Sequence, residues 1–241
     1  ALLSARIGKR MRTLGFDSPL DYYHHIMADS SEAELTCLLD AISTNVTHFF
    51  REPQHFDLLA ELFIQWQGED QTRFRMWSAA CATGEEPYSM AMVLAEHQLK
   101  QDLDVRILAT DINTSVLETS RRGVYRADRV EALSPVRRRR FFRRHGARDS
   151  GAYAVSHDLR SVVVFKQLNL THRPFPMRGP LDAIFCRNVM IYFDDTTRRA
   201  LVTELERLLK PGGYLFVGHA ESMMGRQGRF KSVQPAVYKK T

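Results

Sequence analysis

Arg75-Met-Trp-Ser-Ala-Ala-Cys-Ala-Thr-Gly-Glu-Glu-Pro-Tyr-Ser89 runs an apolar strand into a turn of small residues, then two carboxylates, then a helix with Pro87 in its first turn. A chain that turns this sharply at the carboxyl end of a strand usually holds a ligand there. The two acids select the ligand's chemistry. Phosphate loops offer backbone N–H groups to an anion at a helix start, and Glu85 and Glu86 would repel one. The turn suits a ligand that is cationic or rich in hydroxyls.

Downstream, strands and helices alternate. The strand candidates are 74–79, 105–110, 162–167, 181–186 and 213–217, with amphipathic helices over 88–99 and 196–209. Such alternation predicts an α/β fold with a parallel sheet covered on both faces. The stretch from about Tyr153 to Val164 interrupts it and reads as a small antiparallel excursion built from 153–155 and 161–165. Upstream, residues 1–70 read as helical. Leu3, Ile7, Met11 and Leu14 repeat at helical spacing. Ser18-Pro19 marks a helix start, Ser31-Glu-Ala-Glu34 fits a capping box, and a further helix begins near Pro53 with Phe56, Leu59, Leu62 and Phe63. Gly68-Glu-Asp-Gln71 is a polar linker.

Two more features matter for their order along the chain, although the second is a turn that any helix-to-strand connection could use. The second strand ends at Asp111, which follows Glu86 by 25 residues. An acid there is placed to bind ribose hydroxyls in a Rossmann-like sheet. An Asp ending a strand can also cap the next helix, and it is the acidic turn that favours the ligand reading. Leu209-Lys-Pro-Gly-Gly-Tyr-Leu-Phe-Val217 then places a tight turn before the fifth strand. In this order the segments resemble a class I S-adenosylmethionine-dependent methyltransferase, with the usual glycine-rich first loop reduced to the single Gly84.

Four longer strings narrow the resemblance. Thr44-Asn-Val-Thr-His-Phe-Phe-Arg-Glu52, Thr83-Gly-Glu-Glu-Pro-Tyr-Ser89, Cys186-Arg-Asn-Val-Met-Ile-Tyr-Phe193 and Gly218-His-Ala-Glu-Ser222 are similar to the signature segments of the CheR family, in the right order along essentially the whole chain. These are bacterial chemotaxis receptor methyltransferases, which esterify glutamates on chemoreceptors. The resemblance implies a helical N-terminal domain over 1–67 that docks the receptor and covers the cofactor. A linker over 68–73 and a Rossmann-like methyltransferase domain over 74–241 would follow. The sheet would end in an antiparallel tail from 216–218 and 236–239, and a small antiparallel β insertion would sit at about 146–166.

The resemblance also implies residue roles. S-adenosylmethionine carries an ammonium and a sulfonium, which suit carboxylates. Glu86, and Glu85 second to it, would face the methionine end, and Asp111 the ribose. Asn169 and Leu170 would sit beside adenine, and Arg187 and Asn188 would border the methionine end. Asn45, Thr47 and Arg51 would close over the cofactor, although Asn45 and Thr47 taken alone read as helix caps. Arg51 and Tyr192 would handle the substrate glutamate, with Tyr192 equally readable as an aromatic packed at a strand end. S-adenosylhomocysteine would be the product.

Composition sets the partners. The chain has 241 residues, 44% of them hydrophobic, and no apolar run as long as a membrane span, so no membrane insertion is expected. Its three cysteines show neither metal nor disulfide spacing and its nine histidines form no ligand cluster. No metal is expected, and a reducing cytoplasm is. The chain starts at Ala1 rather than Met, which allows for an upstream piece. The net charge of +6 is an excess of arginine, densest at Arg137–Arg140 with Arg143 and Arg144. It reads equally as a solvated helix face or as a surface that attracts a polyanion. The resemblance names acidic receptor methylation helices as that partner, with Arg6, Lys9 and Arg10 of the first helix docking them. Some relatives also grip a short receptor C-terminal peptide by strand addition. A nucleic-acid methyltransferase is the alternative. Against it, the fourth strand leads into Arg187-Asn-Val-Met and not a Pro-Pro-aromatic turn, and no basic aromatic strip is present, so nucleic acid is not expected. A non-catalytic S-adenosylmethionine sensor or adaptor is the third reading.

Overall fold

The structure is a computed structural model that describes residues 2–30, 32–146, 151–221 and 229–241. Four helices come first: α1 (Leu2–Leu14), α2 (Pro19–Ala28), α3 (Ala33–Ile42) and α4 (Pro53–Gly68). Strands and helices then alternate: β1 (Arg73–Ser78), α5 (Glu85–Glu96), β2 (Asp104–Asp111) and α6 (Thr114–Arg122). An inserted stretch holds β3 (Val124–Arg126), α7 (Ala127–Glu131), α8 (Pro135–Phe141), β4 (Phe142–His145) and β5 (Ala152–Val155). The chain returns through α9 (His157–Ser161), β6 (Val163–Gln167), β7 (Leu181–Cys186), α10 (Asp195–Leu208) and β8 (Leu209–Val217), and finishes with β9 (Phe230–Gln234) and β10 (Val237–Lys240).

The main sheet has seven strands in the order β6-β2-β1-β7-β8-β10-β9. The first five are parallel, and β10 runs antiparallel between β8 and β9. This is the expected Rossmann-like methyltransferase sheet with its antiparallel tail. Alternation along the strands divides the core between two faces. Phe74, Met76, Ala183, Phe185 and Phe216 pack with α4 and α5, whereas Trp77, Ile184, Cys186, Leu215 and Val217 pack with α10. Phe56, Leu59, Leu62 and Phe63 are all buried. Helix α4 therefore packs on the sheet, although it lies in the range expected for the helical N-terminal domain.

Three local expectations are corrected. The insertion begins earlier than 146: its antiparallel sheet, in the order β3-β5-β4, spans 124–155, whereas 161–165 ends α9 and enters β6, parallel to β2. A period-two pattern cannot tell a parallel partner from an antiparallel one, and Phe-Arg-Arg-His in β4 has no apolar alternation. Pro211-Gly-Gly213 is a bulge within β8 and not a turn before it. Leu181 and Ala183 of β7 pair with Leu209 and Tyr214, and the four residues between loop out. Lastly, Glu34 does not close a capping box. Its carboxylate accepts two bonds from Arg10, at 2.9 and 2.5 Å, and one from the Tyr22 hydroxyl at 2.6 Å, while its own N–H donates to Asp29. The Ser31 half of that box lies outside the described residues.

Two of the basic residues expected to dock a partner are thereby committed inside the protein. Arg10 pairs with Glu34, and Arg6 donates to the carbonyls of Ile42 and Ser43 at the end of α3. Only Lys9 of the three is exposed. The apolar stripe of α1 is shallow for the same reason: Met11 is buried, but Leu3 and Leu14 are exposed. Ser18 does cap α2, accepting from Asp21 N, with Pro19 at the first helical position.

Candidate active site

The carboxyl ends of β1, β2, β6 and β7 open onto one cavity of about 510 Å³. Ala79, Ala80 and Ala82 follow β1, Asp111 and Ile112 end β2, Leu168–Thr171 follow β6, and Arg187–Val189 follow β7. The strand order reverses at β1, so the cavity occupies the crevice where open α/β sheets bind ligands. The N-terminal region supplies the opposite wall through Leu39, Ile42, residues 43–47 and Arg51.

The opening turn is shaped by Gly84. Its φ of +94° is left-handed, and a Cβ there would lie 2.9 Å from Ser120 and from the Tyr125 hydroxyl. Both restrictions favour glycine. The turn sends the two acids in different directions. Glu86 lines the cavity, with Oε1 accepting from Ser78 Oγ at 2.7 Å and Oε2 from Arg187 Nη1 at 3.0 Å. Glu85 does not line it. It is buried on the far side, accepting from Thr83 Oγ1 at 2.6 Å and from Arg129 at 3.4 Å. Adjacent helix residues point about 100° apart, so only one acid can face the crevice. Burial pushes both carboxyls above the ordinary range, partly offset by Arg187 at Glu86 and by the Thr83 hydroxyl at Glu85.

Asp111 is buried and lines the cavity, accepting from the N–H groups of Ala82 at 2.9 Å and Asn113 at 3.0 Å. Burial raises its carboxyl pKa, and these bonds oppose the rise. It does not cap α6. Asn113 does, accepting from Val116 N at 3.0 Å. On the adjacent wall, Asn169 Oδ1 accepts from Thr171 N and Oγ1, next to buried Leu170.

Arg187 organises the side of the cavity next to Glu86. It is 4% exposed and bridges Glu86 and Glu52, each at 3.0 Å, and it also donates to the Arg51 carbonyl. Asn188, at φ +57°, donates its N–H to Glu221 Oε2 at 2.7 Å. Glu221 also accepts from the N–H groups of Met190, Ile191 and Gly218. This buried carboxylate sets the course of 188–191, the segment that carries Tyr192 to the cavity rim. Sequence reasoning placed Glu221 in a signature string without a role, because four backbone donors converging on one carboxylate leave no pattern along the chain. Ser222, which ends that string, lies outside the described residues.

The residues expected from the N-terminal region also reach the cavity. Helix α3 ends at Ile42 and α4 starts at Pro53 with Glu52 before it, so Asn45 and Thr47 cap neither helix. Both line the cavity, as does Arg51, whose Nη1 donates to the Val46 carbonyl at 2.9 Å. Tyr192 is 62% exposed at the rim and is not packed against a strand. Of the eleven expected positions, Glu85 alone faces away.

The chain also matches known proteins. Residues 45–239 match the CheR methyltransferase S-adenosylmethionine-binding domain, and residues 1–43 match the CheR methyltransferase all-alpha domain. The chain belongs to the CheR methyltransferase family. Chemotaxis protein methyltransferase 2 of Pseudomonas aeruginosa is 41% identical, over 98% of this chain and 84% of its own length. The chemotaxis protein methyltransferase of Salmonella typhimurium is 40% identical over 97% and 80%, and that of Borreliella burgdorferi 37% identical over 99% and 86%. As a CheR family member the chain is a methyltransferase that uses S-adenosylmethionine. No helix among the described residues is long and apolar enough to cross a membrane.

Glu52, His55 and His219 also bring ligand-type atoms within 4.8 Å of one another, a cluster that the spacing of histidines along the chain did not reveal. Arg187 already pairs with Glu52, so a cation there would sit beside a fixed positive charge.

Proposed function

We propose that the chain transfers the methyl group of S-adenosylmethionine to glutamate side chains on the cytoplasmic methylation helices of bacterial chemoreceptors, forming methyl esters. The observation that carries this reading is the set of charges on one cavity: buried Asp111 and half-buried Glu86 line it, and so do Arg51 and the exposed Tyr192. Two acids on the lining suit a nucleoside that carries two cationic groups. An arginine on the same lining suits an anionic acceptor.

S-adenosylmethionine, when bound, supplies an electrophilic methyl on its sulfonium. Asp111 would accept from ribose hydroxyls through lone pairs not taken by Ala82 and Asn113. Asn169 and Leu170 would hold adenine, and Glu86 the ammonium, with Arg187 opposing the burial that raises the Glu86 carboxyl. Asn45, Thr47 and Asn188 would complete the wall. Glu85, which does not line the cavity, is left out of this proposed set.

The acceptor needs no general base, because a glutamate with an ordinary pKa of about 4.3 is already ionised at neutral pH. The protein's task is alignment, which can supply about 7–11 kcal/mol of a barrier. Arg51 would hold the carboxylate oxygen that does not attack through its planar fork, and Tyr192 would orient the other. The helices before the sheet would serve as docking arm and lid. With Arg6 and Arg10 engaged internally, docking would fall to exposed groups such as Lys9 and Arg12.

Incubation with methyl-labelled cofactor and either receptor-containing membranes or nucleic acid tests the reading. Label on receptor protein supports it. Label on nucleic acid would replace it with the alternative methyltransferase, and cofactor binding without transfer would replace it with a sensor.

A further inference from the structure

The inserted β-sheet reaches the cofactor wall through one side chain. Arg129 on α7 donates from Nη1 to the Thr47 carbonyl at 2.7 Å, and the same nitrogen lies 3.4 Å from Glu85 Oε1. Thr47 lines the cavity; Glu85 is buried behind it at the start of α5. The acid expected second to Glu86 at the cofactor is thus the anchor of an arginine that holds the opposite wall.

Residues 43–52 need such anchors because they form neither helix nor strand, and Phe50 and Glu52 have φ values of +55° and +58°. The insertion and its helices supply several of them. The Phe49 ring lies edge-on to Tyr125 of β3 and Phe142 of β4, with centroids 5.1 and 5.5 Å away. The Arg137 guanidinium of α8 sits 3.9 Å over the Phe50 ring. Of these contacts only the Arg129 bond falls on a residue that lines the cavity.

We infer that Arg129 is a positioning residue for the cofactor wall: by fixing the Thr47 carbonyl against Glu85, it makes the inserted subdomain and the cavity one mechanical unit and sets cofactor affinity. The inference rests on reading the cavity as the S-adenosylmethionine pocket. Arg129 touches neither the cavity nor the methyl's path, so its effect must appear in binding.

Titration calorimetry of the full chain with S-adenosylmethionine, paired with thermal melts, tests this. Arg129→Ala should weaken binding about threefold to tenfold, the worth of one charge-assisted hydrogen bond at a half-exposed site, with only a small drop in melting temperature because Glu85 keeps its Thr83 bond. Arg129→Lys should recover part of the loss. Arg139→Ala, an exposed arginine on α8, should bind like the parent. Should Arg129→Ala not fold, Arg129→Gln keeps the stem, loses the charge, and must show the same weakening. Equal affinity in parent and Arg129 variants overturns the inference, as does weakening that only tracks lost stability and is not rescued by lysine. If the parent itself binds no S-adenosylmethionine, the reading of the pocket fails and the inference falls with it.

Discussion

Arg187 Nη1 lies 3.0 Å from Glu86 Oε2, joining the end of β7 to the first turn of α5. Its Nη2 lies 3.0 Å from Glu52, at the start of α4. One buried cation therefore fixes three chain segments around one side of the cavity. Removing one partner of a buried ion pair leaves an uncompensated charge and costs about 3–5 kcal/mol. Arg187→Met should lower the urea-unfolding free energy by that order. A change below about 1 kcal/mol, typical of surface ion pairs, would show that the cluster does not hold the site together.

His55 gives a pH test of the same region. Its ring is fully buried, 5.6 Å from Phe216 and 5.2 Å from His219 between centroids. Burial first, and then the Arg187 charge, push its pKa down to about 4. Between that value and the ordinary 6.5 the unfolded chain binds a proton and the folded chain does not, so stability should fall as pH drops through this window. Comparison with His55→Asn should isolate a contribution of about 1–3 kcal/mol across it. Parallel stability-versus-pH curves for the two proteins would refute the assignment.

The architecture was legible because its signals are local. Strand alternation, Pro53, Ser18-Pro19 and the acidic turn at 81–89 each state their structure within a few residues. Ten of the eleven expected site positions meet at one cavity for a related reason: in this fold, ligand groups follow strand ends, which periodicity locates. What stayed hidden depends on contacts distant in sequence. Glu221 accepts four N–H groups, Arg10 spends its charge on Glu34, and Glu85 turns to Arg129. The insertion was misplaced because β3 has three residues and β4 is arginine-rich, so neither carries a strand pattern.

Asp40 joins the helical arm to the sheet domain. Its carboxylate accepts from Thr114 N at 2.8 Å, Thr114 Oγ1 at 2.9 Å and Ser115 N at 3.1 Å at the start of α6. It acts as a capping group supplied from another helix, next to the cavity residues Leu39 and Ile42. Asp40→Ala should cost about 1 kcal/mol by thermal denaturation. It should also weaken cofactor binding through the loosened wall. Unchanged affinity would mean that α3 keeps its place without this clamp.

Arg51→Ala separates acceptor handling from cofactor binding. Losing a charge-assisted bond to the substrate carboxylate should lower turnover about tenfold to a hundredfold. Cofactor affinity should fall less, through loss of the Arg51 bond to the Val46 carbonyl. Steady-state kinetics alongside calorimetry would resolve the two. Equal losses in both, or full turnover, would remove Arg51 from the acceptor site.

Methyl-ester formation on receptor glutamate is open to direct measurement. The direct measurement is tandem mass spectrometry of receptor peptides after incubation with the chain and S-adenosylmethionine, before and after mild alkali. The account predicts a methyl group on glutamate side chains that alkali releases as methanol. An alkali-stable methyl, or one on a nitrogen-bearing side chain, would contradict it.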